Sequence, residues 1–332
     1  MPYFIRKSII CISTVLLILA SEASAEPLPP VLTVDYADYN PLSLVIKKFG
    51  WLEQEFKTAK VHVHWLRWVF TPGDDLALKY LQTDSLNIAS TSSLASVWSR
   101  AGGNPIKVVY VFARPEWETI VVPRDSPIQS VKDLKGKKVA AAVGTGPYFF
   151  LLRALRDAGM HKEDVEIVPL PHSVAISAVE LKSVDAWAGV NPYAAMSQLE
   201  RGARVIYRNP VFNSYGVLNT SEAFAKKYPQ EVTRVIKAYE RARIWALKHP
   251  EDLEVIFAEE ARVSYSVARL VLSRFDFSNP VIDRNDIRVL KDAAPVLKEE
   301  KLIPQDTDLD KVIDDLIDPG FVIKQVGAGL GR

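Results

Sequence analysis

From residue 31 onward the chain alternates short apolar runs of β character with amphipathic runs of helical period. No other feature of it constrains the fold so tightly. VLTVDY (31–36) precedes a helical stripe over 41–56, and KVHVHW (60–65) follows as a strand. A helix near 74–83, LNIAS (86–90), a helix near 92–101 and IKVVYVF (106–112) complete a first series. Parallel strands need a crossover, usually a helix, between them, so this alternation predicts an α/β fold with a mostly parallel sheet.

A second series starts after Arg114-Pro115. TIVVP (119–123), KKVAAAV (137–143), a helix near 147–159, VEIVPL (165–170), a helix near 173–182, VDAWAG (184–189), a helix near 192–201 and ARVIY (203–207) follow in turn. Residues 83–112 and 181–210 share one layout of polar turn, strand, polar turn, helix and strand, which suggests two α/β lobes built alike. Since sequence belonging to the first series remains after the second, the chain is expected to cross between lobes twice, near 112–119 and 211–217. Residues 221–249 read as one long helix with Val232, Val235, Ile236, Tyr239, Ala242 and Ala246 on a single stripe. The glycine-rich end, QVGAGLGR, reads as a loose tail.

The first residues, MPYFIRKSIICISTVLLILASEASAEP, carry Arg6 and Lys7, an apolar run from Ser8 to Ala20 and an Ala23-Ser24-Ala25 cleavage pattern. That is the signature of a secretory signal peptide over residues 1–25. The run is short for a bilayer span, which takes roughly 20 apolar residues. Cys11 is the only cysteine and lies before the cleavage pattern, so neither a disulfide nor a lipid-modified terminus is expected. Cleavage takes away two of the 41 basic and one of the 40 acidic residues, leaving 39 of each. A balanced charge offers no pull toward nucleic acid or an anionic membrane.

Ligands of open α/β sheets sit beyond the carboxyl ends of the strands, where four polar turns fall. They are Tyr36 to Asn40 (with Asp38 and Tyr39), Ser90-Thr91-Ser92-Ser93, Gly144-Thr145-Gly146-Pro147-Tyr148, and Trp187 to Asn191. In the third, two glycines permit close backbone approach and Pro147 suits a first helical position. Free amides at a helix start favour an anion. The turn is no nucleotide fingerprint, since G-K-[ST] is absent and Phe149 stands where G-x-G-x-x-G has its third glycine. A plain tight turn capped by Thr145 is the competing reading. The hydroxyls of 90–93 are either donors to a ligand or helix caps, and Trp187 is either a contact or core. Trp117 and Tyr215 stand at the expected crossings, at the back of a cleft.

Catalytic and metal chemistry find little support. His62 and His64 form an H-x-H pair on one strand face without a third ligand. Asp35 and Asp38 point to opposite faces if their strand persists. No G-x-S-x-G, H-E-x-x-H or Ser-His-Asp set is present. Neither catalytic residues, metal nor cofactor is expected.

The segments DYADYNPLSLVIKKFGWLEQEF, GNPIKVVYVF, ETIVVPRDSPIQSVKDLKGKKVAAAVGTGPYFFLLRALRDAG, VDAWAGVNPY and FNSYGVLNTSEAFAKKYPQEV resemble, in this order, the periplasmic aliphatic-sulfonate-binding proteins of ABC transporters. The resemblance spans roughly residues 31–255. It implies a type II periplasmic binding fold: lobe I over 26–115 and 214–318, lobe II over 116–213, two crossover strands, and a tail over 319–332. It also implies a non-enzymatic, monomeric periplasmic protein that closes its cleft on an aliphatic sulfonate and delivers it to a membrane permease. Related branches carry taurine, nitrate, sulfate esters or pyrimidine precursors. Many relatives have Asp where Asn191 stands and His where Tyr148 stands. Asn191 removes a negative charge and so eases an anion lacking an amine, while Asp38 could replace it as a counter-charge.

A sulfonate held this way meets no cation. The expected grip comes from the amides of Thr145 to Phe149 and near Ser93, with the hydroxyls of Ser90, Thr91, Ser92 and Thr145. Tyr39, Trp117, Trp187 and Tyr148 cover its organic tail. Arg153 is expected on the surface, a turn along its helix, and Arg114 ranks equally low.

Overall fold

The computed structural model describes residues 29–67 and 76–329. The expected signal peptide (1–25), the first residues of the helix expected near 74–83 and the last residues of the tail lie outside the described residues.

The first series runs β1 (Val31–Tyr36), α1 (Pro41–Phe49), α2 (Trp51–Phe56), β2 (His62–Arg67), α3 (Leu76–Gln82), β3 (Ala89–Ser92), α4 (Ser93–Ala101) and β4 (Ile106–Pro115). The second is β5 (Glu118–Val122), β6 (Lys138–Ala141), α5 (Gly146–Asp157), β7 (Glu166–Pro169), α6 (His172–Glu180), β8 (Ala186–Val190), α7 (Tyr193–Glu200) and β9 (Arg204–Tyr207). Then come β10 (Gly216–Ser221), α8 (Glu222–Lys227), α9 (Pro229–Lys248), α10 (Pro250–Ala261), α11 (Tyr265–Leu272) and β11 (Phe275–Asp276). The chain ends with α12 (Arg284–Ala293), α13 (Val296–Glu299), α14 (Leu309–Leu316) and α15 (Gly320–Gly329).

Two expected helices are each two. The 41–56 stripe breaks at Gly50, whose left-handed backbone (φ 62°) turns its N–H back onto Ile46 and Lys47. The 221–249 run breaks before Pro229, which has no N–H to continue a helix and biases Tyr228 away from helical angles. The predicted stripe of α9 is buried throughout. The tail is not loose over its described part. α15 lies along α9 and β4, with Val322 1% exposed.

The strands form two main sheets. One has the order β7-β6-β8-β5-β9. The other is β11-β4-β10-β3, and the β1-β2 pair joins it through a parallel bridge between Val34 and Ile88. Read across, β2-β1-β3-β10-β4 and β7-β6-β8-β5-β9 are the same arrangement, matching the repeat in the sequence. In each, the fourth strand is out of chain order: β10 comes after all the others of its set and β5 before all of its own. β5 is antiparallel to β8 and β9, and β10 is antiparallel to β3 and β4. Four of the five strands in each arrangement thus run the same way, as a mostly parallel sheet does, and only the inserted strand is reversed, because it enters from the other sheet. The chain passes between the sheets twice, from β4 to β5 and from β9 to β10.

Alternation along β5 and β8 sorts their side chains by face. Ile120, Val122, Ala186 and Ala188 join the core under α5, with Phe149, Phe150 and Leu151. Val121 and Trp187 face Ala175, Ile176 and Val179 of α6. Glu118 pairs with Val190 at the first position of β5, on the α5 side by the same alternation.

Candidate functional site

The N-termini of α4 and α5, which belong to different sheets, meet. Ser92 caps α4, its Oγ accepting the Ala95 N–H at 3.3 Å. A Cβ placed on Gly146, the first residue of α5, would stand 3.3 Å from Ser92 Cβ and 2.9 Å from Ser214 Oγ, and would overlap Glu118 Oε1. Gly146 is thus a close approach, and what approaches is a carboxyl group of the protein itself. Gly144 has a second reason: its backbone is left-handed (φ 84°) and a Cβ would lie 2.6 Å from Trp98 Cζ3.

Little of the donor set around that turn is free. Thr145 N–H donates to Ala142 O, and the N–H groups of Tyr148 and Phe149 both reach Thr145 O. The Thr145 hydroxyl donates to Ala142 O at 2.6 Å and does not cap α5. Pro147 has no N–H. Of the amides from Thr145 to Phe149, only that of Gly146 has no protein acceptor among the described residues. Tyr148 is core, packed on Phe149, and burial beside Glu300 and Glu163 pushes its phenol up to about 12.

In the 90–93 stretch, the first three residues extend β3 and Ser93 opens α4, so the polar run is half strand. Ser90 gives its N–H and its hydroxyl to the buried Asp35, at 2.9 and 2.7 Å. Thr91 Oγ1 lies 2.9 Å from Ser96 Oγ and accepts the Asn219 amide at 2.9 Å. Ser93 exchanges two bonds with Tyr215, its N–H donating to the carbonyl at 2.8 Å and its Oγ accepting the N–H at 3.1 Å. Ser92 and Ser93 use their side-chain oxygens only as acceptors among the described residues, so both hydroxyl hydrogens can still be donated.

At the end of β1, Tyr39 donates to Ser90 O at 2.8 Å and meets Trp117 edge-on at 6.2 Å. Asn40 is a buried cap of α1 that also donates to Tyr239. Asp38 pairs with Arg67 at 2.9 Å, so its charge is already answered. Burial nonetheless raises its pKa, with Arg67 opposing. Tyr36 stacks edge-on with Trp65 and carries Lys47 over its ring. Across from them, the Tyr193 phenol on α7 senses both Asp38 and Arg67, after burial.

On the second sheet Trp187 lies within β8, unexposed, its ring 5.9 Å from His172 on α6. It faces away from the α4–α5 junction. Asn191, just past β8, is 1% exposed, and neither atom of its side-chain amide has a hydrogen-bond partner among the described residues. Its backbone N–H reaches Trp117 O at 2.9 Å, which ties it to the crossing. A buried amide left unmade costs about 1–3 kcal/mol, so such a group marks a place built to meet something else.

Two functional candidates escape the sequence reading. Glu118, which falls there only within the expected crossing 112–119, is fully buried at the junction. Its carboxyl accepts the Ser214 hydroxyl at 2.7 Å and the Ser214 N–H at 3.2 Å, while its own N–H goes to Asn213 Oδ1 at 2.8 Å. Burial pushes its pKa up to about 8 against these bonds, the Arg153 charge and the Trp117 indole. Arg153 is not on the surface. It is 6% exposed, stacks on Phe212 at 4.2 Å and donates to Phe212 O, while its Nε has no acceptor among the described residues. Helical spacing was the available signal: Arg153 falls on the face of α5 that carries Gly146 and Phe149, two turns along (seven residues) and one turn along (four residues). Arg114 pairs with Asp286 and covers Tyr215.

No group of three or more metal-binding side chains occurs among the described residues, and His62 and His64 are both exposed on β2.

The NMT1/THI5 like family pattern matches residues 65–253. A "Putative aliphatic sulfonates-binding protein" of Bacillus subtilis (strain 168) is 26% identical over 275 residues, 82% of each chain. A protein of Escherichia coli (strain K12) with the same description is 26% identical over 292 residues, 86% of this chain and 89% of that one. In architecture the chain is similar to the alkanesulfonate-binding protein SsuA from Xanthomonas axonopodis pv. citri bound to MOPS. That TM-score is 0.76, at 21% identity over 87% of this chain and 98% of the other.

Proposed function

The chain belongs to the NMT1/THI5-like family and has the type II periplasmic binding fold, two α/β lobes joined by two crossover strands; on that footing we propose that it is a solute-binding protein of an ABC importer, with aliphatic sulfonates as its ligands. Residues 1–25 direct it to the periplasm and are removed there. Lobe I comprises 26–115 and 214–318 and lobe II 116–213. The protein works as a monomer, binds without turnover, and presents its closed form to a membrane permease.

The observation that carries this reading is the meeting of the α4 and α5 N-termini from different sheets. A helix N-terminus favours an oxyanion through its unpaired N–H groups and its dipole. Two of them converging from separate lobes are bridged by a single anion only when the lobes close, which is how a ligand shifts the protein to the closed form. The Gly146 N–H, the Ser92 and Ser93 hydroxyls and the Asn191 amide are among the donors left to hold it. Hydrogen bonds to a charged acceptor contribute roughly 1.5–3 kcal/mol each. Three of them plus tail burial fit micromolar affinity, about −8 kcal/mol, after the costs of association. Asn191 brings no charge, and Asp38 is paired, so a taurine-like ammonium has no counter-charge at either place.

Calorimetric titration with ethanesulfonate at pH 7 tests the reading. Micromolar binding with one site is expected, together with a thermal shift worth about 2.7 kcal/mol at a hundredfold excess over the dissociation constant. No heat with any of a panel of alkanesulfonates and sulfate esters refutes it.

A further inference from the structure

The proposed grip leaves the buried Glu118 carboxyl without a task. Glu118 fills the space that a side chain at Gly146 would take, so its carboxyl and an anion held by the Gly146 N–H are immediate neighbours. The groups facing Glu118 are few. From α5 comes Arg153; from the return crossing come Ser214 and Tyr215, the latter under an Arg114 already paired with Asp286. α4 offers Ser92 and Ser93, and β8 offers Val190. Glu116, two residues before, is spent on Arg208, and Arg153 also senses Tyr207 and Asp292. Arg153 is thus the one cation toward Glu118, and no ion pair joins them among the described residues. A cavity of about 10 Å³ lined by Gly146, Arg153, Ser93 and Ser214 lies beside them, scarcely room for one water. Two negative charges in such a site repel without solvent to screen them.

We propose that Glu118 is the specificity residue that ties anion capture to a proton: the cleft holds a permanent oxyanion only while the Glu118 carboxyl carries its hydrogen. This rests on the sulfonate reading above and adds a chemical condition to it. In the protonated state the carboxyl is a neutral neighbour, still accepting the Ser214 N–H through its carbonyl oxygen. In the ionised state it competes with the ligand for the positive end of α5. Buried among these partners, Glu118 holds its hydrogen up to about pH 8. At pH 7 capture then requires no proton from solution. Above pH 8 each anion bound draws one proton from water or buffer onto Glu118, and affinity declines tenfold per pH unit.

Ethanesulfonate is the probe, because its charge does not change over this range. Calorimetry from pH 6.5 to 9.5, in two buffers of different ionisation enthalpy, gives affinity and proton uptake together. The expected result is level affinity below pH 8, a tenfold loss per unit above it, and uptake approaching one proton at pH 9.5. Glu118→Gln levels the profile and abolishes the uptake. If that variant does not fold, Ser214→Ala serves instead. It removes a hydroxyl donor from the carboxylate and moves the break to higher pH. Binding at pH 7 that persists unchanged to pH 9.5 overturns this inference and leaves the sulfonate reading standing. Binding that declines equally in Glu118→Gln also overturns it. Absence of binding at every pH overturns the sulfonate reading and this inference with it.

Discussion

Glu118→Gln separates the electrostatic cost of one buried carboxyl from everything else in the fold. Unfolded, the group titrates near 4.5; folded, burial holds it at about 8. Between those values the native state binds a proton that the unfolded state has released, so stability falls as pH rises. The contribution is complete below pH 4.5, declines by about 1.4 kcal/mol per pH unit, and is fully lost above pH 8. The whole loss is about 5 kcal/mol, a large part of the 5–15 kcal/mol that holds a typical domain folded. Glutamine matches the carboxyl in shape and cannot ionise, so the variant lacks this decline. Urea unfolding followed by fluorescence every half unit from pH 4.5 to 9 yields both curves. Their difference should climb by about 5 kcal/mol over that window and then level off. Parallel curves would show that Glu118 is ionised and solvated in the native protein, and the burial argument would be wrong.

The other expectations concern separate places. His172, unexposed against Trp187, is held down to about 3 by burial, so the wild type should lose stability as pH falls from 6.5 toward 3, by about 1.4 kcal/mol per unit, and His172→Phe should not; acid unfolding curves decide. Gly144→Ala should cost about 2–5 kcal/mol, from a left-handed backbone and from crowding Trp98, read as a lowered urea midpoint. Ser92→Ala should weaken ethanesulfonate binding about tenfold, one charged hydrogen bond, whereas Thr145→Ala should leave it within a factor of two. Equal effects of these two in calorimetry would contradict the hydrogen-bond assignments.

Much of the architecture is carried by local pattern. Strand and helix periods along 31–207 locate each element within a few residues, and the stripe on α9 shows which face is buried. The similar layout of 83–112 and 181–210 anticipates two sheets of one design. Punctuation was legible too but was passed over at Gly50 and Pro229. The pairing of β10 between β3 and β4 was not, because β10 lies more than a hundred residues from both and a strand's own residues do not name its partners. That is why the one reversed strand within an otherwise parallel arrangement was not legible.

The polar turns show the same division. Ser90, Thr91 and Thr145 advertise hydroxyls, and a hydroxyl in sequence carries no record of its acceptor. Asp35 and Ala142 accept from Ser90 and Thr145 once the chain is folded, and Thr91 pairs with the Ser96 hydroxyl. Conversely, a glutamate at the head of ETIVV looks like an exposed strand end. Local composition settled which segments are strand, helix or turn, since periodicity and propensity act over a few residues. Burying Glu118 and Arg153 together took the return crossing at Asn213 and Ser214, a contact of about a hundred residues' separation. Charge state and hydrogen-bond allegiance depend on such long-range neighbours, and only the packed molecule supplies them.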